Sequence, residues 1–313
     1  MSSTLSSFPP WPVWSGPAQA MLRAMLGELE GLPITGGEAS VRLSPDGLNA
    51  GRWLAGFSPA GVSSERLQGL PQRLGMSSVD AQWFNAHWRS ARQIGLAVEQ
   101  ACDQVVAKVY LEYALPAPEL RACPPEQRQV ALQIMSCKWR ADLPEQARPA
   151  SRQTEYWRMS GVDGAVIVQL LRDGEVLAPA VRPVYAAVAQ CLQTAQRAAP
   201  YWRDQRLLLV REAGSARPAV GLRLYGSQLS VSVVLPPLKS LCASWGLDLS
   251  RHPEVLSSWA HQELGWIHAG LDTQAQGFII VYGALNRAQT RAVLAAGGAA
   301  AHEPQVSIQE SSK

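Results

Sequence analysis

One strand-like stretch of this sequence has two faces of opposite character. Gln104–Tyr113 reads QVVAKVYLEY, and the two-residue period of a strand separates its aliphatic side chains from Lys108, Tyr110 and Glu112. An ammonium group binds phosphate, and a tyrosine supplies a hydroxyl donor and a ring face that attracts a cation. The polar face therefore has the groups needed to ionise an allylic diphosphate and to shield the resulting carbocation.

The same alternation recurs in residues 220–225, where Arg223 and Tyr225 share a face, and less regularly around Lys138 and Tyr156. The side chains that we place on these polar faces are Arg52, Lys108, Tyr110, Glu112, Lys138, Tyr156, Arg158, Arg223, Tyr225, Trp266, His268 and Tyr282. Cations gathered in one interior repel one another and lose hydration. Because the sequence offers too few inward carboxylates to pair them all, we expect an external polyanion such as a diphosphate to bind there.

The elements that must position these residues alternate between helices and strand pairs. Helical periodicity begins near Ala18 and recurs before three of the later strand pairs. We expect five pairs, hence about ten strands, near residues 39–57, 92–113, 130–159, 206–227 and 265–283. Antiparallel strands in this number bury their edges best by closing. The sequence therefore predicts an α+β fold, a closed antiparallel β-barrel with helices outside and polar strand faces inside.

The domain organisation follows from composition along the chain. Residues 1–16 are rich in proline and serine and predict an irregular segment, and residues 17–286 predict the single barrel domain. Residues 287–313 predict a mobile tail that begins with one possible helix. The prolines in 116–128 indicate a loop. Residues 114–160 lack a clear helix pair between two strand pairs, which breaks the repeat at that point.

Repeated αα-ββ units, strands written K-x-Y and R-x-Y, and a polar barrel interior resemble the soluble aromatic prenyltransferases of the ABBA or PT-barrel type. The hairpin that runs from Arg92 through AKVYLEY, and the RLYG segment after Arg206, are similar to repeats of that family. The resemblance implies a diphosphate site formed by Lys108, Lys138, Arg158 and Arg223, and a tyrosine shield formed by Tyr110, Tyr156, Tyr225 and Tyr282. No DDxxD or NDxxD motif is present, in agreement with that family's frequent independence from metal, although magnesium could accompany the diphosphate.

The acid that orients the acceptor in many indole-specific members of that family has no obvious counterpart, and Glu38, Glu112 and Glu155 are candidates. We expect Glu112 or His268 to take the proton from the acceptor. A hydrogen-bonded structural role is the alternative for His268. A cation and a tyrosine on one strand face also occur on the solvated side of ordinary antiparallel sheets, so each position has a structural explanation as well.

Composition excludes several classes of protein. The chain of 313 residues has a net charge of +3 and dispersed Lys and Arg residues, which disfavours a nucleic-acid binder. It has no apolar run long enough to span a bilayer and no signal peptide pattern, so we expect a cytoplasmic protein without membrane insertion. Five cysteines without metal-ligand spacing indicate neither a disulfide framework nor a zinc site.

Three functions fit these observations. The first is transfer of a prenyl group from an allylic diphosphate to an indole, a phenol, or a Trp or Tyr residue within a peptide. The second is a non-catalytic α+β binding or assembly protein whose polar faces recognise an acidic or aromatic partner from an open sheet. The third is an enzyme acting on another anionic aromatic ligand, such as a tetrapyrrole.

Overall fold

Ten antiparallel strands of this protein pair in a closed ring. The computed structural model describes residue 14 and residues 16–101, 104–115, 124–173 and 179–299. Its strands are β1 (Ile34–Ser44), β2 (Gly47–Asn49), β3 (Arg52–Phe57), β4 (Ala91–Ala101), β5 (Gln104–Tyr113), β6 (Val130–Arg140), β7 (Arg152–Met159), β8 (Arg206–Glu212), β9 (Ala219–Arg223), β10 (Glu263–Leu271) and β11 (Gly277–Leu285). From β3 to β11 each strand pairs with the next in sequence, and β1 closes the ring by pairing with both β3 and β11. The short strand β2 only extends the end of β1.

Helices lie outside this ring. In the described part of the chain they are α1 (Gly16–Leu29), α2 (Ser64–Arg73), α3 (Ser78–His87), α4 (Gly164–Asp173), α5 (Arg182–Ala198), α6 (Leu235–Ser244), α7 (Pro253–Ala260) and α8 (Arg287–Ala299). Ser63 and Ser77 cap α2 and α3, because each side chain accepts a hydrogen bond from a backbone N–H in the first turn. Pairs of helices precede three of the five hairpins and cover them.

Strand alternation decides which side chains meet the helices. On β5 the aliphatic residues Val105, Ala107, Val109 and Leu111 are at most 1% exposed and pack in a core with residues of the first helices. A second core joins β8–β11 to helices α4–α7. Burying these apolar faces against helices contributes about 25 cal/mol per Å² of apolar surface. The polar faces are left to line the interior of the ring.

The predicted fold is therefore confirmed: a closed ten-strand antiparallel barrel with its aliphatic faces outward. The predicted break in the repeat is present as well, since residues 124–159 contain β6, β7 and only short 3₁₀ turns. Residues 116–123 of the predicted loop and almost all of the predicted irregular segment 1–16 lie outside the described residues.

The segment after Asn286 contains the one helix that was considered possible there. Arg287–Ala299 forms helix α8, in which Thr290 and Val293 are buried. Thr290 also donates a hydrogen bond of 2.9 Å from Oγ1 to the carbonyl of Asn286. Alanine and apolar residues in this segment supply both helix propensity and a packing face. Residues 300–313 lie outside the described part.

Candidate active site

A cavity of about 1060 Å³ opens into the barrel from one end. Along two strands the inward face begins in the cavity wall and continues past it. On β5, Lys108 and Tyr110 line the cavity and Glu112 does not, and on β9 Ala219 does while Arg223 does not. We call the part with Arg52, Glu99, Lys108, Lys138 and Glu212 the cavity end. The part with Glu38, Glu112, Arg158, Arg206 and Arg223 is the opposite end.

The deepest charged group of the cavity end is a carboxylate held by two cations. Glu99 on β4 lies directly across from Arg52 on β3, and Lys108 is on the neighbouring strand β5. Oxygen Oε1 of Glu99 accepts from both the Lys108 ammonium and the Arg52 guanidinium. The three side chains are only 7–13% exposed. This is a compact, desolvated ion triplet in the wall of the cavity.

Burial and charge compete within this triplet. Burial lowers the pKa of Lys108 and the Glu99 carboxylate raises it, which leaves it at about 8. Burial raises the pKa of Glu99, but Arg52 and Lys108 outweigh that effect and bring it to about 2. Burial lowers the pKa of Arg52 and the Glu99 carboxylate raises it, and the result lies above the ordinary value of an arginine. At neutral pH all three groups are therefore charged.

A second carboxylate organises the rim of the same cavity. Glu212 on β8 is 2.7 Å from Lys138, 2.9 Å from Arg217 and 3.4 Å from Arg152. Lys138 and Lys108 are cross-strand partners in the β5–β6 register, so the rim cluster adjoins the Glu99 triplet. The two groups form one continuous cationic wall.

The cavity has more cations than carboxylates. Among the described residues, seven basic ones line it: Arg42, Arg52, Lys108, Lys138, Arg140, Arg152 and Arg217. Four acidic residues do so: Asp46, Glu99, Glu212 and Asp272. Arg140 is further neutralised by Asp142, through hydrogen bonds of 2.8 and 2.6 Å. An excess of two positive charges remains, which favours an anionic ligand.

Aromatic rings form the wall beside these cations. The ring centroids of Tyr110 and Tyr156 are 6.4 Å apart, and those of Tyr156 and His268 are 6.1 Å apart. Tyr282 lies next to Arg52, and burial raises its pKa to about 12. The Tyr110 ring leans over Gly95 on the facing strand, where an added Cβ would be 3.7 Å from Cδ2 of that ring. These neutral phenols offer ring faces and hydroxyl groups to the cavity.

His268 completes this wall as a neutral imidazole. Its ring packs edge-on against Phe278, with centroids 5.4 Å apart. Burial, with a smaller contribution from Lys108 and Arg52, lowers its pKa to about 3. Its buried Nε2 atom makes no hydrogen bond to any described residue. The side chain can therefore accept a proton or a hydrogen bond from a ligand in the cavity.

Arginines at the opposite end of the lumen share one carboxylate. Asp204 is 2.8 Å from Arg206 and 3.0 Å from Arg223. The Arg223 guanidinium also stacks 5.1 Å from the centroid of the Tyr225 ring. Burial lowers the pKa of Arg158, and nearby Arg206 lowers it too. These arginines form a group separate from the cavity lining.

Two glutamates lie near this arginine group. Burial and, to a smaller extent, the neighbouring Glu112 raise the pKa of Glu38, and with the opposing effect of Arg223 it lies at about 8. Gln133 donates a hydrogen bond of 3.4 Å to Glu112. Glu155, the third candidate for the acceptor-orienting acid, faces the outside of the barrel and accepts from Trp157 Nε1 at 2.9 Å. Glu38 is thus an inward carboxyl that keeps its proton at neutral pH.

The predicted site is divided by the barrel. Among the predicted residues, those in the cavity wall are Lys108, Lys138, Tyr110, Tyr156, His268 and Tyr282. The others, Arg158, Arg223, Tyr225 and Glu112, are not among the described residues that line it. Tyr225 follows the end of β9 and packs against Trp266, with ring centroids 6.1 Å apart. The structure therefore does not bring the four predicted diphosphate ligands to one point.

Sequence reasoning missed the carboxylates of the cavity. We expected too few inward acids, but Lys108 and Lys138 each have a carboxylate partner, and so does Arg223. The signal for Glu99 was available, because only two residues separate Ala101 from its register partner Gln104, and this pairing places Glu99 on the inward face beside Lys108. Glu212 is on β8, which pairs with β7 across the long connection between Met159 and Arg206, and Asp204 lies just before β8.

Two further findings concern the described residues alone. They contain no cluster of three or more His, Cys, Asp or Glu side chains arranged to hold a metal ion. None of their helices combines the length and the apolar character needed to cross a bilayer.

The comparisons with known proteins give distant likenesses only. No family model and no curated protein matches the sequence. AnaPT from Neosartorya fischeri is 12% identical with a TM-score of 0.48, over 80% of this chain and 78% of that one. NotF in complex with brevianamide F and DMSPP is 14% identical with a TM-score of 0.49, over 79% of each chain. A structure of NotF prenyltransferase is 12% identical with a TM-score of 0.43, over 79% of this chain and 80% of that one. At TM-scores below 0.5, these likenesses decide nothing about this chain.

Proposed function

We propose that this protein transfers a prenyl group from an allylic diphosphate to an aromatic acceptor inside the barrel. The observation that carries the proposal is the cationic wall of the cavity next to three neutral tyrosines. A diphosphate needs several charge-assisted donors, and an allylic carbocation needs ring faces in a site with little water. The cavity end supplies both within one enclosed space.

The donor site differs from the one predicted by resemblance. Lys108 and Lys138 are retained as ligands of the diphosphate, and Arg52, Arg152 and Arg217 join them. Arg158 and Arg223 are too far along their strands to belong to the same cavity lining. With the diphosphate on the cationic wall, its prenyl chain extends toward Tyr110, Tyr156 and Tyr282. The tyrosines would then lie along the path of the carbocation.

The proposed reaction has three steps: ionisation of the donor, attack by the acceptor and loss of a proton. The allylic carbon–oxygen bond breaks, and its electron pair leaves with the diphosphate, whose growing charge Lys108 and Arg52 stabilise. The aromatic acceptor attacks the carbocation and forms the new bond. The ring proton of the acceptor then passes to a base, for which His268 in the cavity wall and Glu112 beyond it are the candidates. Even the weakly basic His268 suffices, because a protonated arene is a strong acid.

Glu38 is the best candidate for orienting the acceptor. It lies on the lumen side of β1, beyond the tyrosines, and its raised pKa keeps a proton available for a hydrogen bond. A neutral carboxyl group can both donate to and accept from an indole N–H or a phenol. Indole, phenol, and Trp or Tyr within a peptide all remain candidate acceptors.

The open-sheet version of the binding hypothesis does not agree with the fold, since the cationic and tyrosine faces line the interior of a closed barrel. An anionic aromatic ligand such as a tetrapyrrole fits the same lining. It would quench intrinsic tryptophan fluorescence, and a prenyl diphosphate would fail to displace it.

The direct test is a transfer assay. The full chain is incubated with dimethylallyl, geranyl or farnesyl diphosphate as the donor. The acceptor is tryptophan, tyrosine, a simple phenol or a Trp-containing peptide, and the products are identified by mass spectrometry. We expect one prenyl group on an aromatic acceptor, and parallel reactions with magnesium or a chelator test whether a metal assists. Absence of product with every donor and acceptor would overturn the proposal.

A further inference from the structure

Glu99 places a negative charge inside a site arranged for an anion. Its Oε1 atom accepts from Lys108 and Arg52 together, two of the donors that the proposed diphosphate needs. The backbone fixes this arrangement, because Glu99 pairs with Arg52 across β3 and β4. Glu99 cannot leave the lumen without breaking the inward alternation of β4.

Physical chemistry gives this carboxylate two opposite effects. Without a ligand, it balances two cations that would otherwise be desolvated and mutually repelled. With a diphosphate on the same cations, its charge lies within a few ångströms of the phosphate oxygens and repels them. The same group therefore stabilises the empty site and weakens the filled one.

We propose that Glu99 is the internal counter-anion of the donor site, displaced from Lys108 and Arg52 when diphosphate binds and returning to them when it leaves. This inference rests on the proposed function for its meaning in turnover. Inorganic diphosphate remains after the prenyl group has been transferred, and a cationic pocket of this depth would retain it. Glu99 favours release because it competes for the same two donors.

A neutral side chain at position 99 separates this role from a purely structural one. Glu99→Gln keeps the shape of the side chain but removes its charge, and Glu99→Asp keeps the charge. Glu254→Gln is the matched control, because Glu254 is an exposed residue in the first turn of α7, outside the barrel.

The test is isothermal titration of each protein with inorganic diphosphate at about pH 6, below the pKa of about 8 that burial gives Lys108. We expect Glu99→Gln to bind about tenfold more tightly than wild type. Glu99→Asp and Glu254→Gln should bind within about twofold of wild type. Equal or weaker binding by Glu99→Gln would overturn the inference and would leave the proposed function standing. No binding of diphosphate by wild type would instead contradict both.

Thermal unfolding covers the case in which Glu99→Gln is unstable. The melting temperature is measured with and without inorganic diphosphate, and the rise should be larger for Glu99→Gln than for wild type. A variant that folds only in the presence of diphosphate supports the inference equally. A variant that stays unfolded in its presence contradicts the inference, because the carboxylate is then needed for folding whatever the site contains.

Discussion

Two buried glutamates at the two ends of the lumen have opposite protonation behaviour. Burial raises the pKa of both, but Arg52 and Lys108 bring that of Glu99 to about 2, whereas Glu38 has a neighbouring carboxylate and a pKa of about 8. Glu99 at the cavity end is thus ionised, and Glu38 at the opposite end is protonated at neutral pH. The first suits a departing diphosphate and the second suits a hydrogen bond to a neutral acceptor.

The cations differ between the two ends as well. At the cavity end Arg52 and Lys108 share Glu99 but line the cavity, whose described lining has an excess of positive charge. At the opposite end Arg223 is occupied by Asp204 and by the Tyr225 ring. Similar sequence patterns, K-x-Y and R-x-Y, therefore have different chemical settings.

The largest expected effect is the loss of activity on substituting Lys108, compared with the same substitution of a lysine outside the barrel. Lys108→Met should lower kcat/KM for prenyl transfer about a thousandfold, or ~4 kcal/mol of transition-state stabilisation, because a charge facing the leaving diphosphate is lost. Lys239→Met, at an exposed position on α6, is the control and should match wild type. Steady-state assays of product formation measure both. Activity of Lys108→Met within about tenfold of wild type would remove the cavity end from the mechanism.

A smaller effect separates the tyrosines of the two ends. Tyr156→Leu removes a ring from the cavity wall and should raise the ratio of prenyl alcohol to prenylated product about tenfold, since water then captures more of the carbocation. Tyr156→Phe keeps the ring and should stay near the wild-type ratio. Tyr225→Leu should not change it. Chromatographic quantification of both products tests this, and a larger change in Tyr225→Leu would place the carbocation at the opposite end.

The smallest effect concerns the stability of the opposite end. Because the folded pKa of Glu38 lies above the unfolded value, the folded state binds the extra proton between about pH 4.5 and 8, and stability falls as pH rises through that window. Relative to Glu38→Gln, the free energy of unfolding of wild type should fall by on the order of 1–2 kcal/mol across this pH window. Urea unfolding at several pH values measures the difference. A wild-type curve parallel to that of Glu38→Gln would show that Glu38 titrates normally.

The fold could be predicted from the sequence because its signals are local. Alternation on β5 and helical periodicity between strand pairs fix which faces are apolar, and the number of antiparallel strands favours closure. The packing of α8 against α1 and β1 was not predicted, since it depends on partners distant in sequence.

The site was predicted only in part, because alternation gives the face of a residue but not its height in the barrel. Lys108 and Arg223 both point inward, yet the stagger of the strands puts them at different ends of the lumen. Glu212 and its partner Lys138 are 74 residues apart in sequence, so no local pattern reveals that they pair. Glu99 is the exception, since only two residues of sequence separate the paired strands β4 and β5 that bring it beside Lys108.

The central claim is that the cavity end alone binds the prenyl donor. Isothermal titration with a non-hydrolysable thio-analogue of dimethylallyl diphosphate, with and without magnesium, tests it most directly in wild type, Lys108→Met and Arg223→Met. We predict micromolar binding by wild type, none by Lys108→Met, and an affinity within about threefold of wild type for Arg223→Met. Binding that disappears in Arg223→Met but persists in Lys108→Met would contradict the account, as would no binding by wild type with analogues of any prenyl length.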